Sequence, residues 1–455
     1  MSEHDASNAQ DERLDFGKVL PIFAIVFVDM LGLTIILPLL HIYAIRYGAD
    51  ATTIGLLAAT YPACQFIGAP LLGRLSDRYG RKPVLLLSQI GTLIGFILLA
   101  ASNTLWMVFL SRAIDGFTGG NIAVAQAALT DITPKRHRTR ALGLTGAAFG
   151  LAFILGPVIA ILSLEISGDN YALPAASAAV YSGMAILLTL ILFKETHADN
   201  TATTQRSLNP FVSIWHGLNN PLIAVLLVLI FAQQFVFFAF ESLVGVFTLN
   251  RLGFSGTGNA LLFIYVGLIL VAVQMGYIGR WSNRYGDRRV ILGGLALLGV
   301  GLLMTAITPE QPLPGYSPLR MRLALQQAHA GAPTRAETLN PRDIAVDIPD
   351  GENTGLVGVL WLAVAMVPVS VGAAVLRPSI NSLITKRVPM DEVGGILGVS
   401  AALVSSANAI SPIVGGYFFE QNGSSAPFLY GGVALIALVL VSVFALKSRA
   451  EDEQE

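Results

Sequence analysis

The chain has 455 residues, of which 54% are hydrophobic and only 13% are charged, and its formal net charge is −1. A charged fraction so far below that of soluble domains, together with a mean hydropathy of +0.66, predicts a polytopic membrane protein. The near-zero net charge offers no bulk attraction to nucleic acid, so we expect no nucleic-acid partner. The six histidines show no metal-ligand spacing and no phosphate-binding loop occurs, so we expect no metal, no cofactor and no enzyme activity.

Residues 1–16 are acidic and polar and lack the basic start of a cleavable signal peptide, which predicts a cytoplasmic tail. Beyond this tail, apolar runs of about 20 residues alternate with helix breakers, and this length crosses a hydrocarbon layer as a helix. We therefore predict an all-α membrane protein with twelve transmembrane helices. The spans lie near residues 17–40, 52–72, 82–101, 105–130, 139–162, 172–193, 221–250, 258–280, 289–308, 355–384, 393–418 and 427–447.

One polar phrase occurs twice in this apolar chain. GRLSDRYGRKP starts at Gly73 after span 2, and GRWSNRYGDRR starts at Gly279 after span 8. Because spans 2 and 8 are six spans apart, the chain reads as two six-helix halves in parallel repetition, a transporter architecture with its substrate site between the halves. The predicted domains are a tail 1–16, a first half 17–193, a linker 194–220, a second half 221–447 with an insert 309–354, and a tail 448–455.

The basic residues set the orientation of these spans. Most of the 28 Lys and Arg residues fall in the tails and in the loops on one side, and the positive-inside rule makes that side cytoplasmic. Both termini, the linker and both copies of the polar phrase then lie in the cytoplasm, and the insert 309–354 is extracytoplasmic. Within the insert, LRMRLALQQAH forms either a short amphipathic helix or part of a plain surface loop.

Ionisable residues inside the spans need a water-filled cavity or a partner. Asp29, in the middle of span 1, is predicted to bind and release a proton or contact a cationic substrate; the alternative is an ion pair with Arg112. Asp115 lies one helical turn from Arg112 and either takes part in proton coupling or only neutralises that arginine. Glu241 is either a second protonation site, with a cationic substrate as a further contact, or a partner of Arg112. Arg377 either contacts substrate or snorkels to the cytoplasmic interface.

Uncharged polar residues within the spans form a second group of candidates. Each of them either contacts substrate in the cavity between the halves or forms a hydrogen bond between packed helices. They are Tyr61, Gln65, Gln126, Gln233, Gln234, Gln274, Asn381 and Asn408.

Several motifs together resemble the major facilitator superfamily, and within it the drug/proton antiporters similar to tetracycline exporters. The resemblance covers all twelve spans and implies the major facilitator fold. Ala160, where the family has a glycine, and the insert 309–354 depart from the family pattern. The motifs are GRLSDRYGRKP in the loop between helices 2 and 3, DMLGLTIILPLL (29–40) in helix 1, SRAIDGFTGGNIAVAQAALTDIT (111–133) in helix 4 and GAAFGLAFILGP (146–157) in helix 5.

The resemblance also implies roles for these residues. It implies a cytoplasmic gate that holds the halves closed, with Asp77 at a helix N-terminus of the other half and Arg81 bridging Asp77 and Asp131. The second copy has Asn283 and Asp287 in place of Asp77 and Arg81, and we interpret it as a tight basic turn only. Arg112 is implied in proton coupling. The gate residues are Gly73, Asp77, Arg78, Gly80, Arg81 and Asp131; the helix-5 motif, expected to kink and pack against the other half, is Gly150, Gly156 and Pro157.

The leading hypothesis is a secondary transporter for proton-coupled efflux of a small amphipathic molecule or a tetracycline-like drug. Its partners are then the substrate, protons and the lipid bilayer of the inner or plasma membrane, and we expect a monomer. The alternative is a proton-coupled or facilitative transporter of an anionic or sugar-like metabolite, in which Arg112 and Arg377 bind a carboxylate or phosphate. A receptor without flux is disfavoured, because charges inside the membrane cost free energy that such a protein has no reason to carry.

Overall fold

The structure, a computed structural model, describes residues 16–133, 138–168, 170–196, 223–326, 345–388 and 393–445. Every regular element in these ranges is helical, so the predicted all-α fold is confirmed. The predicted tails 1–16 and 448–455, the linker 194–220 and the middle of the insert lie wholly or mostly outside the described residues.

The first half of the molecule consists of the helices that precede the linker. Its first helix continues through a 3₁₀ turn at Leu37–Leu39 into a second, short helix. Its helices are α1 (Phe16–Ile36), α2 (Leu40–Ile45), α3 (Ala51–Tyr79), α4 (Arg81–Ala100), α5 (Leu105–Thr118), α6 (Asn121–Ile132), α7 (Arg138–Ser167) and α8 (Ala172–Leu192).

The second half consists of the helices that follow the linker and includes one short helix in the insert. Its helices are α9 (Ala224–Leu252), α10 (Gly256–Gly276), α11 (Ile278–Tyr285), α12 (Asp287–Ala306), α13 (Pro318–Gln326), α14 (Val357–Lys386), α15 (Val393–Asn422) and α16 (Ala426–Ala445). The helix α13 covers most of the LRMRLALQQAH stretch, which confirms the first of the two interpretations for its described part.

Eleven segments among the described residues are long and apolar enough to cross a membrane. The predicted span 105–130 differs from them, because Gly119 and Gly120 divide it into α5 and α6. The break frees backbone carbonyls, and neighbouring side chains satisfy them: Ser88 donates to the Thr118 carbonyl and Gln65 donates to the Gly119 carbonyl at 2.7 Å. The remaining predicted span is therefore two consecutive helices rather than one.

The two polar phrases lie at the same end of the helix bundle, which we call the motif face. In each phrase a glycine with positive φ, Gly80 at 97° and Gly286 at 79°, separates two helices and allows the sharp turn between them. The opposite end, which carries Gly48 and Gly253, is called the far face. These two names describe the molecule without assigning either face to a side of the membrane.

The two halves are in close contact towards the far face. A Cβ atom at Gly55 of α3 would lie 2.1 Å from the Pro412 carbonyl oxygen of α15, so the backbones touch. Two hydrogen bonds join the halves there: Ala51 N donates to Glu420 at 3.3 Å, and the Asn259 amide donates to the Pro38 carbonyl at 2.6 Å.

The helix surfaces nearer the motif face are more open. Added Cβ atoms at Gly73 of α3 and at Gly276 of α10 would meet no atom within 4 Å, and Leu71 and Tyr277 are 42% and 49% exposed. Among the described side chains, the halves are therefore closed against each other at the far face and open at the motif face.

The described parts of the insert dock on the far-face end of α9. Tyr316 packs on Gly253, where a Cβ would lie 2.3 Å from its ring, and its hydroxyl donates to the Pro349 carbonyl at 3.1 Å. The Asn250 amide donates to the Asp347 carbonyl at 3.1 Å, and Arg251 forms an ion pair with Glu310 at 3.3 Å. These contacts attach the insert to the second half.

Candidate functional site

Asp29 lies on α1 inside the first half and is only 5% exposed. One of its carboxylate oxygens accepts a short hydrogen bond from the side-chain amide of Asn121, the first residue of α6. Its other oxygen, Oδ1, is buried and has no hydrogen-bond partner among the described residues. The carboxylate is thus enclosed without a cation beside it, an arrangement suited to a group that carries a proton.

Arg112 does not pair with Asp29. Its guanidinium forms an ion pair with Asp115 at 3.1 Å, and both side chains are at most 3% exposed. It also lies over the Phe96 ring, 5.3 Å from the ring centre. The predicted alternatives in which Arg112 pairs with Asp29 or with Glu241 are therefore wrong for this conformation, because its partner is the carboxylate one turn away on its own helix.

The break between α5 and α6 places Asn121 against Asp29. Close packing of α3 on these two helices surrounds the break, because a Cβ at Gly116 would lie 2.3 Å from the Tyr61 carbonyl and one at Gly68 would lie 2.0 Å from the Phe117 carbonyl. Small residues permit this approach. Tyr61 accepts a hydrogen bond from Gln65 at 3.1 Å, so both of these predicted candidates lie at the break.

Glu241 faces a small, mainly apolar cavity between the halves. Phe153 of α7 and Phe263 of α10 meet across the boundary between the halves with ring centres 5.9 Å apart. The other nine lining residues are all apolar, so Glu241 carries the cavity's one carboxylate. The lining residues are Phe153, Phe237, Phe240, Glu241, Val244, Leu262, Phe263, Val266, Leu270 and Met366.

The predicted polar candidates do not line this cavity. Gln234 of α9 donates to Asn408 of α15 at 2.8 Å, and Asn381 of α14 accepts from Ser400 of α15 at 3.1 Å. Gln233 is 2% exposed and donates to a carbonyl of its own helix at 3.3 Å. Gln234, Asn408 and Asn381 thus make the contacts between helices that were the alternative to substrate binding, whereas Gln233 bonds within its own helix.

The remaining polar candidates lie elsewhere. Gln126 is half-buried on α6, while Gln274 and Arg377 are exposed on α10 and α14. None of these three residues is among those that line the cavity around Glu241.

Arg81 organises a polar cluster at the motif face. Its guanidinium contacts Asp131 at 2.9 Å, Asp77 at 2.5 Å and the Ser76 hydroxyl at 2.7 Å. Around this cluster, the Gly73 carbonyl accepts from Ser76 at 2.6 Å. The structure thus brings Arg81, Asp77 and Asp131 together at the ends of α3, α4 and α6.

The cluster does not join the two halves in this conformation. All of its members belong to the first half, and Asp77 has a side chain that is 56% exposed and pairs with Arg81 rather than with a helix end of the second half. Arg78 lies over the ring of its neighbour Tyr79, 5.3 Å from the ring centre. Within the described parts of this face, the predicted contact between the halves is not made in this conformation.

The helix-5 motif contacts both halves. The helix α7 runs continuously through Pro157, and Gly156 packs against Thr34 of α1 in the same half, where a Cβ would lie 2.2 Å from the Thr34 hydroxyl oxygen. This hydroxyl donates to the Ala152 carbonyl at 2.8 Å. Gly150 is the member that faces the second half, because a Cβ there would lie 3.0 Å from Val271.

The second polar phrase is more than the basic turn predicted for it. Asp287 is 5% exposed and accepts a hydrogen bond from Lys386 of α14 at 2.6 Å. It also accepts from Ser382 at 2.9 Å and from Ser282. A buried carboxylate that accepts hydrogen bonds from three donors on two other helices holds these helices together. The interpretation of this phrase as a turn only is therefore wrong.

Sequence reasoning missed two polar partners. Asn121 is assigned no role of its own in the sequence analysis. Its position directly after Gly119 and Gly120 is the sequence feature that indicates a helix beginning with a polar side chain. Glu195, which follows α8, accepts from the backbone N–H groups of Arg81 and Lys82 at 2.8 and 3.0 Å and so caps α4. No sequence signal identified this cap, because its partners lie far away along the chain.

Comparison with known proteins gives one family. The model of the Major Facilitator Superfamily matches residues 22–319 and 354–455, leaving out most of the insert. The tetracycline resistance protein of class C from Escherichia coli is 27% identical over 441 residues, which is 95% of this chain and 97% of that protein. The class H protein from Pasteurella multocida is 31% identical over 303 residues, 64% of this chain and 73% of that protein.

A solved structure shares the fold. The human organic anion transporter MFSD10 superposes with a TM-score of 0.65 at 20% identity, and the alignment covers 96% of this chain and all of that one. At this identity the likeness concerns the fold alone.

Proposed function

Because the chain belongs to the Major Facilitator Superfamily, and is thus a membrane transporter rather than an enzyme, we propose that it exports small amphipathic cations in exchange for protons. The observation that carries this proposal is Asp29, a carboxylate buried within the first half and paired with an amide rather than with Arg112. A carboxylate without a fixed cation can lose and gain a proton at a modest cost, whereas an ion-paired one cannot. The similarity to tetracycline resistance proteins supports the export of a drug-like molecule.

The motif face is proposed to be the cytoplasmic face of a bacterial inner membrane, with both termini on that side. The distribution of Lys and Arg supports this orientation, since basic loops stay in the cytoplasm. The conformation closed at the far face is then the one that takes up substrate from the cytoplasm. Export follows when the halves close at the motif face and open at the far face, and protons bind Asp29 from outside.

The cluster of Arg81, Asp77 and Asp131 is proposed to form part of the gate that closes at the motif face. Asp77 supports this role because its side chain stays 56% exposed while it pairs with Arg81, and Asp131 at 2.9 Å would still hold Arg81 if Asp77 turned to the second half. A carboxylate is favoured at a helix N-terminus, the kind of partner expected for Asp77 on closure.

The cavity around Glu241 is the proposed contact site for substrate. A single carboxylate among aromatic and aliphatic walls matches a molecule that has a large apolar surface and one positive charge. Phe153 and Phe263 come from opposite halves, so a molecule bound there touches both of the units that move.

The experiment that tests the function measures substrate-stimulated proton movement in everted membrane vesicles. Addition of a transported compound from a drug panel that includes tetracyclines is expected to release protons from the acidified vesicle interior. Vesicles that lack the protein give the baseline. A panel that leaves the proton signal at this baseline while labelled compounds still cross would contradict antiport.

Replacement of Glu241 tests the substrate class with two ions of the same shape and opposite charge. Addition of the cation tetraphenylphosphonium is expected to stimulate proton release from wild-type vesicles. Addition of the anion tetraphenylborate is expected to leave proton release at the baseline. The change Glu241→Gln is expected to raise the apparent KM for tetraphenylphosphonium about 10-fold or more, since a charge-assisted contact is lost. The change Glu165→Gln, at an exposed site on α7, serves as the control. An unchanged KM would remove Glu241 from the substrate site.

A second candidate function is the transport of an organic anion. Arg377 favours it, because this guanidinium is exposed on α14 and no ion pair to it occurs within the described part of the chain. The same assay separates the two functions, since an anion transporter responds to tetraphenylborate and loses this response on the change Arg377→Gln.

A further inference from the structure

We propose that Asp287 and Lys386 form a charge-inverted counterpart of the Arg81–Asp131 pair and position the motif-face ends of the second half for transport. This inference rests on the proposed transport function. Its starting point is the repeat: Asp287 occupies in the second polar phrase the place that Arg81 occupies in the first. The stretch ILGPVIA (154–160) in α7 resembles AISPIVGG (409–416) in α15, which makes Pro157 and Pro412 repeat equivalents. Lys386 follows Asp131 at the same separation as these two prolines, so it is the repeat equivalent of Asp131.

The two pairs have the same construction. Each buries one charge at the first residue of a helix, directly after a glycine with positive φ. Arg81 binds Asp131 at the end of α6, and Asp287 binds Lys386 at the end of α14. Each buried charge also bonds the serine of its own phrase, Ser76 in the first half and Ser282 in the second. The two ion pairs have equivalent geometry but opposite charges at each position. What the two halves share is therefore an ion pair that links the same helix ends.

The inversion changes how each pair interacts with the helix dipoles. Asp287 lies in the first turn of α12 and Lys386 in the last turn of α14, and both placements are favourable. Arg81 begins α4 and Asp131 lies near the end of α6, and both placements are unfavourable. The first half compensates with two further carboxylates, Asp77 on the guanidinium and Glu195 on the α4 amides. The second-half pair is therefore favoured by both helix dipoles, whereas the first-half pair depends on additional carboxylates.

A link at this place couples the helix ends of the second half. Asp287 joins α12 to α11 through Ser282, and to α14 through Ser382 and Lys386. Three helix ends at the motif face then move together when the half rotates against its partner. Asp287 and Lys386 are positioning residues, because they touch neither the cavity around Glu241 nor Asp29.

The change Asp287→Asn tests this link with little cost to the fold. Asparagine keeps the shape, its Oδ1 can still accept from one serine and its Nδ2 can donate to the hydroxyl of the other. Lys386, whose side chain is 63% exposed, is then left in water. The assay is counterflow, the exchange of labelled for unlabelled substrate without a proton gradient, measured with tetraphenylphosphonium or tetracycline in proteoliposomes. It therefore reports the movement of the halves even if proton coupling fails.

Asp287→Asn and Lys386→Gln are each expected to lower the counterflow rate about 10-fold per folded molecule. Binding of the same compound to the purified protein is expected to stay within about 2-fold, because neither residue lies at the cavity. The conservative changes Asp287→Glu and Lys386→Arg are expected to keep most of the rate. The double change that exchanges the two charges, Asp287→Lys with Lys386→Asp, restores an ion pair and is expected to recover the rate to within about 3-fold of the wild type. Recovery is incomplete because both charges then oppose the helix dipoles.

The matched control is Glu310→Gln, which breaks an exposed ion pair at the far face and is expected to leave counterflow unchanged. Three results would overturn the proposal. They are a wild-type rate for Asp287→Asn, a charge exchange that stays as slow as the single changes, or losses explained entirely by less folded protein in size-exclusion chromatography.

Discussion

The change Asp29→Asn is expected to reduce substrate-stimulated proton movement to the level of vesicles without the protein. The asparagine side chain has no ionisable group and cannot take up the proton, whereas its carbonyl can still accept the hydrogen bond from Asn121. The fold should therefore survive while the coupling group is lost. Counterflow without a proton gradient is expected to remain, because that exchange needs the halves to move but needs no net proton transfer.

Two further variants sharpen this test. Asp29→Glu retains a carboxylate and is expected to keep part of the proton signal, and Glu310→Gln removes an exposed carboxylate without effect. Proton traces for Asp29→Asn that match the wild type would rule out this residue as the coupling site. Loss of counterflow together with the proton signal would instead make Asp29 part of substrate binding or of the fold.

The change Gly55→Val is expected to keep the far face from closing. The first carbon of the new side chain would lie 2.1 Å from the Pro412 carbonyl oxygen and 3.3 Å from the Gly416 Cα, both backbone atoms. Overpacking usually costs about 1–3 kcal/mol, and a clash with backbone lies at the upper end, so the closed conformer should fall by roughly 100-fold. Transport should fall with it, since export requires both conformations.

Cysteine labelling measures this effect. In a Cys64→Ser background, Ala51→Cys places a thiol at a residue that is 2% exposed in the far-face contact. Gly55→Val is expected to make this thiol react rapidly with a membrane-impermeant maleimide, while the parent reacts slowly. The control is Gly183→Val on α8, where an added Cβ meets no atom within 4 Å. Slow labelling and normal transport in Gly55→Val would show that the halves do not meet as described.

The features that depend on local sequence were predictable. Apolar runs gave the spans because the bilayer sets their length, and the repeated phrase placed two glycine turns at one face. The same reasoning identified Asp29, Arg112 and Glu241, because a charge in an apolar run is conspicuous whatever its neighbours are.

The partners of these charges could not be predicted in the same way. The spans contain three carboxylates that could pair with Arg112. Only the packing of α1 on α6 shows that Asp29 bonds to Asn121 and that Asp115 pairs with the arginine. The inversion of charge at Asp287 was visible in the sequence, but its meaning required Lys386, which lies one long insert and one helix away. The aromatic cavity is likewise formed by residues of both halves.

The docking of the insert on α9 has a practical consequence. Tyr316, Asn250 and the Arg251–Glu310 pair fix it to one half, so a probe attached to it reports that half as a rigid body. A spin label at exposed Arg320 and a second one at exposed Asn103, in the far-face loop after α4, would measure the distance between the halves at the far face. The distance between them should lengthen each time a molecule is released, which would allow single turnovers to be followed without touching the binding site.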